Sequence, residues 1–421
     1  MLKKYISIAM AIAMIALTAS PLYAWSTANP RALAMGGAYT ALGADNEAAS
    51  FNPANLGLSI HRIFTLNLVN VGIGIKNNSF SLNDYNTYTG QFLTDDDKDA
   101  ILAKIPAEGL KFNVITEAGG LNFSVWRLAF NFRGLGATKF NIDKDPFELL
   151  FYGNAVKSEI SLDNTSGEAL AVGDGSVSYG HPLMKWKGGE LSVGTTIHYL
   201  YGIAYEKITQ SEGNVATTDD GFEGSAIMKV KSALGGSGTA FDVGGTVLFE
   251  NDWVFSACWH NLYSKINWTK DTEELVYTFN MDPINFDAIN DSENSDSLIE
   301  SNDTTYSIES FSSKLPAVVK LGLSRSYHKL TWAVDWEQGV SSGAWQAVTP
   351  RLSAGLEYRP IGVFPLRLGT SFGGDRGTIY STGFGIYMGP MHIDMAIANN
   401  GSIKPNGTKG VLFAFAMGLR F

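Results

Sequence analysis

Residues 411–421 read VLFAFAMGLRF. Val411, Phe413, Phe415, Met417, Leu419 and Phe421 alternate with residues that are mostly small (Ala414, Ala416, Gly418) and with one charge, Arg420. Successive strand side chains point to opposite faces, so the stretch predicts a strand with one broad apolar face and one small or charged face. The pattern recurs upstream. In 329–337 Leu330, Trp332, Val334 and Trp336 alternate with Thr331, Ala333, Asp335 and Glu337. The segments 351–359 and 391–397 behave alike. A soluble sandwich gives the same alternation, so alternation alone does not decide the fold.

The connections separate the two. Alternating runs bounded by Gly, Pro, Asn and Asp clusters number about fourteen. They fall near 62–75, 110–125, 128–140, 158–180, 190–210, 222–249, 253–280, 305–325, 329–340, 350–359, 365–374, 378–389, 391–399 and 410–421. Every second connection is short, as at Trp126-Arg127, Asn251-Asp252 and Gly389-Pro390, while 76–109, 141–157, 281–304 and 400–409 are long and polar. That rhythm, with an even strand count, belongs to outer-membrane barrels, whose inner turns are tight and outer loops long. At ~3.3 Å per residue and a tilt of roughly 40°, about ten to twelve residues cross an apolar band of about 25 Å. Trp332, Trp336, Trp345, Tyr358 and Phe421 lie near strand ends, where aromatic girdles sit. The expected fold is all-β: a transmembrane antiparallel barrel of about 14 strands, spanning 61–421.

Export agrees with this. Residues 1–24 read as a signal peptide, with Lys3 and Lys4, an apolar run from Ile6 to Leu17, and Ser20, Pro21 and Ala24 before the cut. The run is too short for a helix that spans a bilayer, and no cysteine near it offers a lipid anchor. The single cysteine, Cys258, excludes an internal disulfide. Charged residues make up 17% of the chain, below the share usual in soluble domains. A net charge of −10 argues against nucleic acid as a partner.

Residues 25–60 precede the first strand. Pro30 and Pro53 forbid a ladder there, Gly36-Gly37 breaks any helix, and the many small residues suit a confined space. Within it, RALAMGGAYTALGADNEAASFNPANL resembles the N-terminal plug of the FadL-like outer-membrane superfamily, through its Gly-Gly pair and Asn52-Pro53-Ala54. The hairpin GSGTAFDVGGTVLFENDWVFSACWHNLYSKINW, ending at Trp268, and the stretches DWEQGV, GLEYRP and FPLRLGTSFGG are similar to uncharacterised members of that superfamily. The resemblance implies a plugged barrel that passes apolar small molecules such as fatty acids. PorV-type proteins of the same superfamily, which handle exported proteins, supply the alternative, and a structural barrel without transport is a third. Under the resemblance Gly36, Gly37, Asn52, Pro53 and Ala54 form the plug motif, with a plug that either moves or is a static filler. A terminal phenylalanine such as Phe421 resembles the signal read by the outer-membrane insertion machinery, so that machinery and membrane lipid are expected partners.

If the large apolar faces meet lipid, the opposite residues line the lumen. These are Lys320, Asp335, Glu337, Arg351, Glu357, Arg359, Arg367, His392, Asp394 and Arg420, with Asp242 on an earlier strand. A lipid-facing Arg or Lys at midplane costs roughly 2–4 kcal/mol, which forces them inward. Their mixed signs favour a salt-bridged network over a substrate path.

TDDDKDAILAKIP (94–106) predicts a helix capped by Thr94, and Asp145-Pro146 starts a second. The acid-rich stretch 287–303 lacks the glycine and spacing of a calcium loop and reads as solvated. Gly369-Thr-Ser-Phe-Gly373 matches a nucleophile elbow in letters only, since Ser371 sits on an alternating strand. No enzyme activity, cofactor or metal is expected.

Overall fold

The structure is a computed structural model and describes residues 27–60, 62–153, 159–218, 221–284, 299–341, 348–374 and 377–421. The expected signal peptide, Trp345 and most of the 287–303 stretch lie outside these residues.

The strands in chain order are β1 (Phe64–Asn77), β2 (Leu110–Gly119), β3 (Asn122–Val125), β4 (Leu128–Ile142), β5 (Glu159–Ser161) and β6 (Ser166–Trp186). Next come β7 (Gly189–Thr218), β8 (Gly221–Phe249), β9 (Trp253–Trp268), β10 (Glu273–Ile284), β11 (Ile299–Ser307) and β12 (Phe311–Ser313). The last are β13 (Val318–Tyr327), β14 (Leu330–Gly339), β15 (Arg351–Tyr358), β16 (Leu366–Gly373), β17 (Ile379–Met388), β18 (Met391–Asn400) and β19 (Gly410–Arg420).

Fourteen wall strands hydrogen-bond in a closed antiparallel ring, with β2 and β3 together forming the second. β19 closes it on β1, from Thr65 opposite Arg420 to Lys76 opposite Gly410, with a bulge at Leu68. The second wall strand breaks at Gly120 and Leu121, where Leu121 takes φ +56°. Gly120 lies beside the Leu68 carbonyl, so the break and the bulge face each other.

Besides 110–125, which is β2 and β3, and 158–180, which is β5 and β6, two more expected strands prove to be composites. The run 253–280 leaves the wall after Trp268: β10 turns away through Lys270 and Asp271 and pairs with the outer part of β8 and with β11. The run 305–325 likewise divides into the end of β11, β12 and β13, with Pro316 between the last two. Alternation continues on both sides of each break, so periodicity does not mark where the strand departs.

β7 and β8 have 30 and 29 residues, more than twice what the apolar band needs. Their outer parts, with β5, β10 and β11, form a sheet beyond the barrel. Among the described residues three α-helices occupy the outer connections. Asp95–Lys104 is capped by Thr94, whose hydroxyl and the Asp97 carboxylate reciprocate. Asp145–Tyr152 docks on it through the Tyr152 hydroxyl, which donates to Asp99 Oδ1 at 2.6 Å. That hydrogen bond raises the Tyr152 phenol to about 12. The sequence reading missed the third helix, Leu82–Tyr88, although Ser81 and Asp84 spell its capping box.

The barrel is inside-out relative to a soluble core. Ile73, Ile197, Tyr199, Leu352, Leu356, Leu368 and Ile397 are exposed on the outer face, whereas Lys320 and Arg367 on the inner face are each 1% exposed. Trp332 packs edge-to-face on Trp253 at the inner end, and Trp336 lies four residues further out along β14. A closed ring with an apolar outer belt and a polar interior is the architecture of outer-membrane barrels, and this chain is one.

Val334 lies in mid-strand on the lipid face. Val334→Arg is expected to cost about 2–4 kcal/mol in folding into bilayers, and Leu330→Arg at the inner rim only about 0–1. Urea titration of liposome-refolded protein measures both; equal costs would contradict the assigned membrane depth.

Candidate functional site

Residues Thr27–Leu58 lie against the inner faces of strands from all around the ring. Their local shape follows from a few residues. Asn29 accepts from the Ala32 amide and caps the short helix Pro30–Ala34, which Pro30 begins. Gly36 and Gly37 then take φ +68° and +93°, where a side chain is strained. Further on, Asn52 accepts from the Ala54 amide and Pro53 opens the turn Pro53–Gly57. Leu33, Met35, Tyr39, Phe51 and Leu56 are all buried.

The attachments are hydrogen bonds from backbone groups that small residues leave uncovered. The Ala28 amide donates to Glu117 on β2, and the Gly36 amide to Ser381 on β17 at 3.1 Å. Tyr39 and Thr40 amides both donate to Asp335 Oδ2 on β14, at 2.9 and 2.8 Å. Asn52 Nδ2 donates to Thr246 Oγ1 on β8, and Ser192 on β7 donates to the Ala54 carbonyl at 2.6 Å. Glycines in the wall allow this approach. A Cβ on Gly369 would come within 2.1 Å of the Gly36 nitrogen, and one on Gly194 within 2.4 Å of the Ala54 nitrogen.

The charges expected to face inward are brought together in pairs set by strand register. Lys320 stands opposite Glu337, Glu337 opposite Arg351, and Glu357 opposite Arg367. Arg367 bonds Glu357 and Asp394, each at 2.6 Å, and Arg359 bonds Glu357 at 2.7 Å. Arg351 reaches to the Gly36 carbonyl at 2.9 Å and also donates to Ser371, which is buried on β16. Arg420 and His392 lie at the inner mouth, where Arg420 pairs with Glu47 at 3.5 Å. Phe421 follows β19; its amide donates to the Phe64 carbonyl and its exposed ring lies 6.0 Å from that of Phe64.

The sequence reading missed a second charged chain. Arg133 bonds Asp174 at 2.8 Å; His198 bridges Asp174 and Asp242; His260 bonds Asp242 at 2.8 Å and the Phe51 carbonyl at 3.0 Å. Of its members only Asp242 was picked out. His198 was recognisable, since it alternates with the apolar Ile197 and Tyr199.

Outward of these charges the same inner face becomes apolar. Leu135, Leu170, Val172, Leu200, Ile266 and Trp268 cluster on β4 to β9, with Leu315 against them. Val172 lies two residues from Asp174, and Leu200 two from His198. Trp268 stacks on Tyr205 at 5.4 Å and lies over Gly202, whose Cβ would strike the ring.

The model of a family described as being of unknown function, DUF5723, matches residues 53–227 and 218–400, so the chain belongs to that family. No curated protein matches the chain. Among solved structures, a FadL homologue of Pseudomonas aeruginosa superposes with a TM-score of 0.53 at 13% identity, covering 96% of this chain and 100% of that one. The toluene transporter TodX of Pseudomonas putida superposes with a TM-score of 0.52 at 11% identity, covering 96% of this chain and 98% of that one. At these identities the likeness is one of fold: the barrel is FadL-like.

Asp335 is the acceptor for two buried amides, and leaving them bare costs about 1–3 kcal/mol. In Asp335→Ala, hydrogen exchange at Tyr39 and Thr40 is expected to accelerate at least about tenfold. Unchanged protection there would show that the segment is held without this carboxylate. Gly194→Val is expected to expose residues 50–58 to protease while the barrel stays folded.

Proposed function

We propose that the protein is a gated outer-membrane channel for apolar small molecules, with residues 27–58 as its plug. The observation that carries this reading is the vertical order of the inner wall. A closely packed apolar cluster around Leu200 and Trp268, a collar on the β4 to β9 side of the ring, stands outward of a largely polar floor already filled by the N-terminal segment. An open pore for water-soluble solutes needs a wet path through that floor, whereas a collar of Leu, Val, Ile and Trp suits a greasy molecule arriving from outside. The fold shared with a FadL homologue and a toluene transporter supports the same class of cargo.

In this reading the cargo rests on the collar and leaves either past the plug or sideways. The break at Gly120-Leu121, opposite the bulge at Leu68, interrupts the ladder on β1, and it favours a lateral route. Asn52-Pro53-Ala54 would fix the plug on β7 and β8, and the paired charges would hold floor and wall in register.

A second reading, capture of an exported protein, draws on the sheet of β5, β7, β8, β10 and β11, which a channel does not require.

Planar-bilayer recording together with uptake of an apolar dye into liposomes tests the first reading. Intact protein is expected to pass the dye while remaining electrically silent, and removal of residues 27–58 is expected to open an ionic conductance. Trp268→Asp should slow dye uptake several-fold by wetting the collar. Ionic conductance in the intact protein, or dye passage indifferent to Trp268, would overturn the proposal. Trimming β10 and β11 should leave dye passage unchanged and abolish binding of an exported protein if the second reading holds.

A further inference from the structure

The inner mouth holds a cavity of about 240 Å³, lined by Arg31, Arg62, Arg359 and Arg420 together with Asp45, Glu47, Tyr387 and His392. Counting a water at roughly 30 Å³, it has space for about eight, enough for a small ion with part of its hydration or for the head of an amphiphile.

The charges around it do not balance. Four guanidiniums share three carboxylates: Arg31 pairs with Glu47 and Glu357, Arg62 with Asp45, Arg359 with Glu357, and Arg420 with Glu47. Glu357 is further engaged by the buried Arg367, whose charge Asp394 matches at 2.6 Å. Three of the guanidiniums are held loosely. Arg31 lies 3.4 and 3.6 Å from its carboxylates, Arg62 3.6 Å and Arg420 3.5 Å, against about 2.7–2.9 Å for a well-made charged hydrogen bond. Arg359 and Arg420 both contact the Tyr387 ring, at 5.7 and 5.6 Å, which holds two of the planar donors at the cavity. Burial and the neighbouring Arg420 hold the Arg62 guanidinium below its ordinary value, as expected where cations crowd.

Two buried nitrogens at this place lack a partner among the described residues: Arg31 Nε and His392 Nδ1. His392 is 7% exposed and lines the cavity. Buried polar atoms are rarely left bare without a ligand or water to satisfy them. A spare positive charge, unsaturated planar donors and orphaned nitrogens converge on one small space.

We propose that this cavity is an oxyanion site at the inner mouth, taking a carboxylate or a phosphate group on Arg31, Arg62, Arg359 and Arg420. The same chemistry comes from two sources, a free ion or the head of an amphiphile, and the site is open to the inner side through Arg62 and Arg359, whose side chains are 49% and 41% exposed. The inference does not depend on the channel reading, because an anion can bind there whether or not anything crosses the collar.

Calorimetric titration of the full-length protein in neutral detergent tests it, with inorganic phosphate, octanoate and octanol as separate titrants. Phosphate or octanoate is expected to bind saturably and octanol not. Arg62→Gln and Arg359→Gln, both at half-exposed positions where folding is not at stake, should each weaken anion binding about tenfold. Octanoate binding far tighter than phosphate would assign the site to an amphiphile's head, and comparable affinities to a free ion. Absence of saturable binding by either anion, or binding unmoved by both substitutions, would overturn the site. Dye uptake measured on the same variants keeps the two proposals apart: loss of anion binding with dye uptake intact defeats neither the collar nor the plug.

Discussion

In hydrocarbon a backbone amide or carbonyl has no water to turn to, so every one in the spanning wall needs a protein partner. That constraint organises the molecule. It requires the ring to close, and the β1–β19 ladder from Thr65 to Lys76 closes it. Closure turns one face of every strand to lipid, where charge is excluded, and collects all polar side chains on the other. The interior therefore holds Lys320, Asp335, Glu357 and Arg367 in a space poor in water, where an unpaired charge costs several kcal/mol. Cross-strand pairs satisfy part of this. The N-terminal segment satisfies much of the rest, donating the amides of Ala28, Gly36, Tyr39 and Thr40 to wall side chains.

The segment can do this because, between the anchoring side chains of Leu33, Met35 and Phe51, its backbone comes up against the wall at glycines and alanines. Gly36 meets Gly369, and Ala54 meets Gly194, backbone against backbone. A helix with ordinary side chains would keep its amides to itself and stand several ångströms off. Short irregular turns leave N–H groups pointing outward, and the wall's Asp and Ser residues accept them. Small residues and a polar wall are thus two halves of one solution.

This explains how much was readable from the sequence. In β14, β15, β18 and β19 the outward face is apolar but for Gln338 and Asn399, and the inward face is small, polar or charged but for Leu412, so period, register and inward charges such as Asp335 and Arg367 were all legible. β6 to β9 were harder. Their inward face changes from Asp174 and His198 to Val172 and Leu200 along one strand, so that apolar residues stand on both faces and alternation fades. The departure of β10 from the wall was invisible because a strand in an external sheet alternates just as a wall strand does. Gly36, Asn52 and Pro53 could be singled out, but their partners Ser381, Thr246 and Gly369 lie roughly 200 to 350 residues away, and no local pattern links them.

The division of the lumen into a polar floor and an apolar collar follows from the same physics. A segment bound by hydrogen bonds needs polar wall residues at its own level. Outward of Phe51 and His260 the buried cluster on β4 to β9 contains no described residue of the N-terminal segment, so a charge there would lack the amides that Asp335 finds. Leu135, Val172, Leu200, Ile266 and Trp268 fill that level instead and bury one another. The apolarity of this level therefore follows from where the hydrogen-bonded N-terminal segment lies, and Trp268 packed over Gly202 closes the cluster.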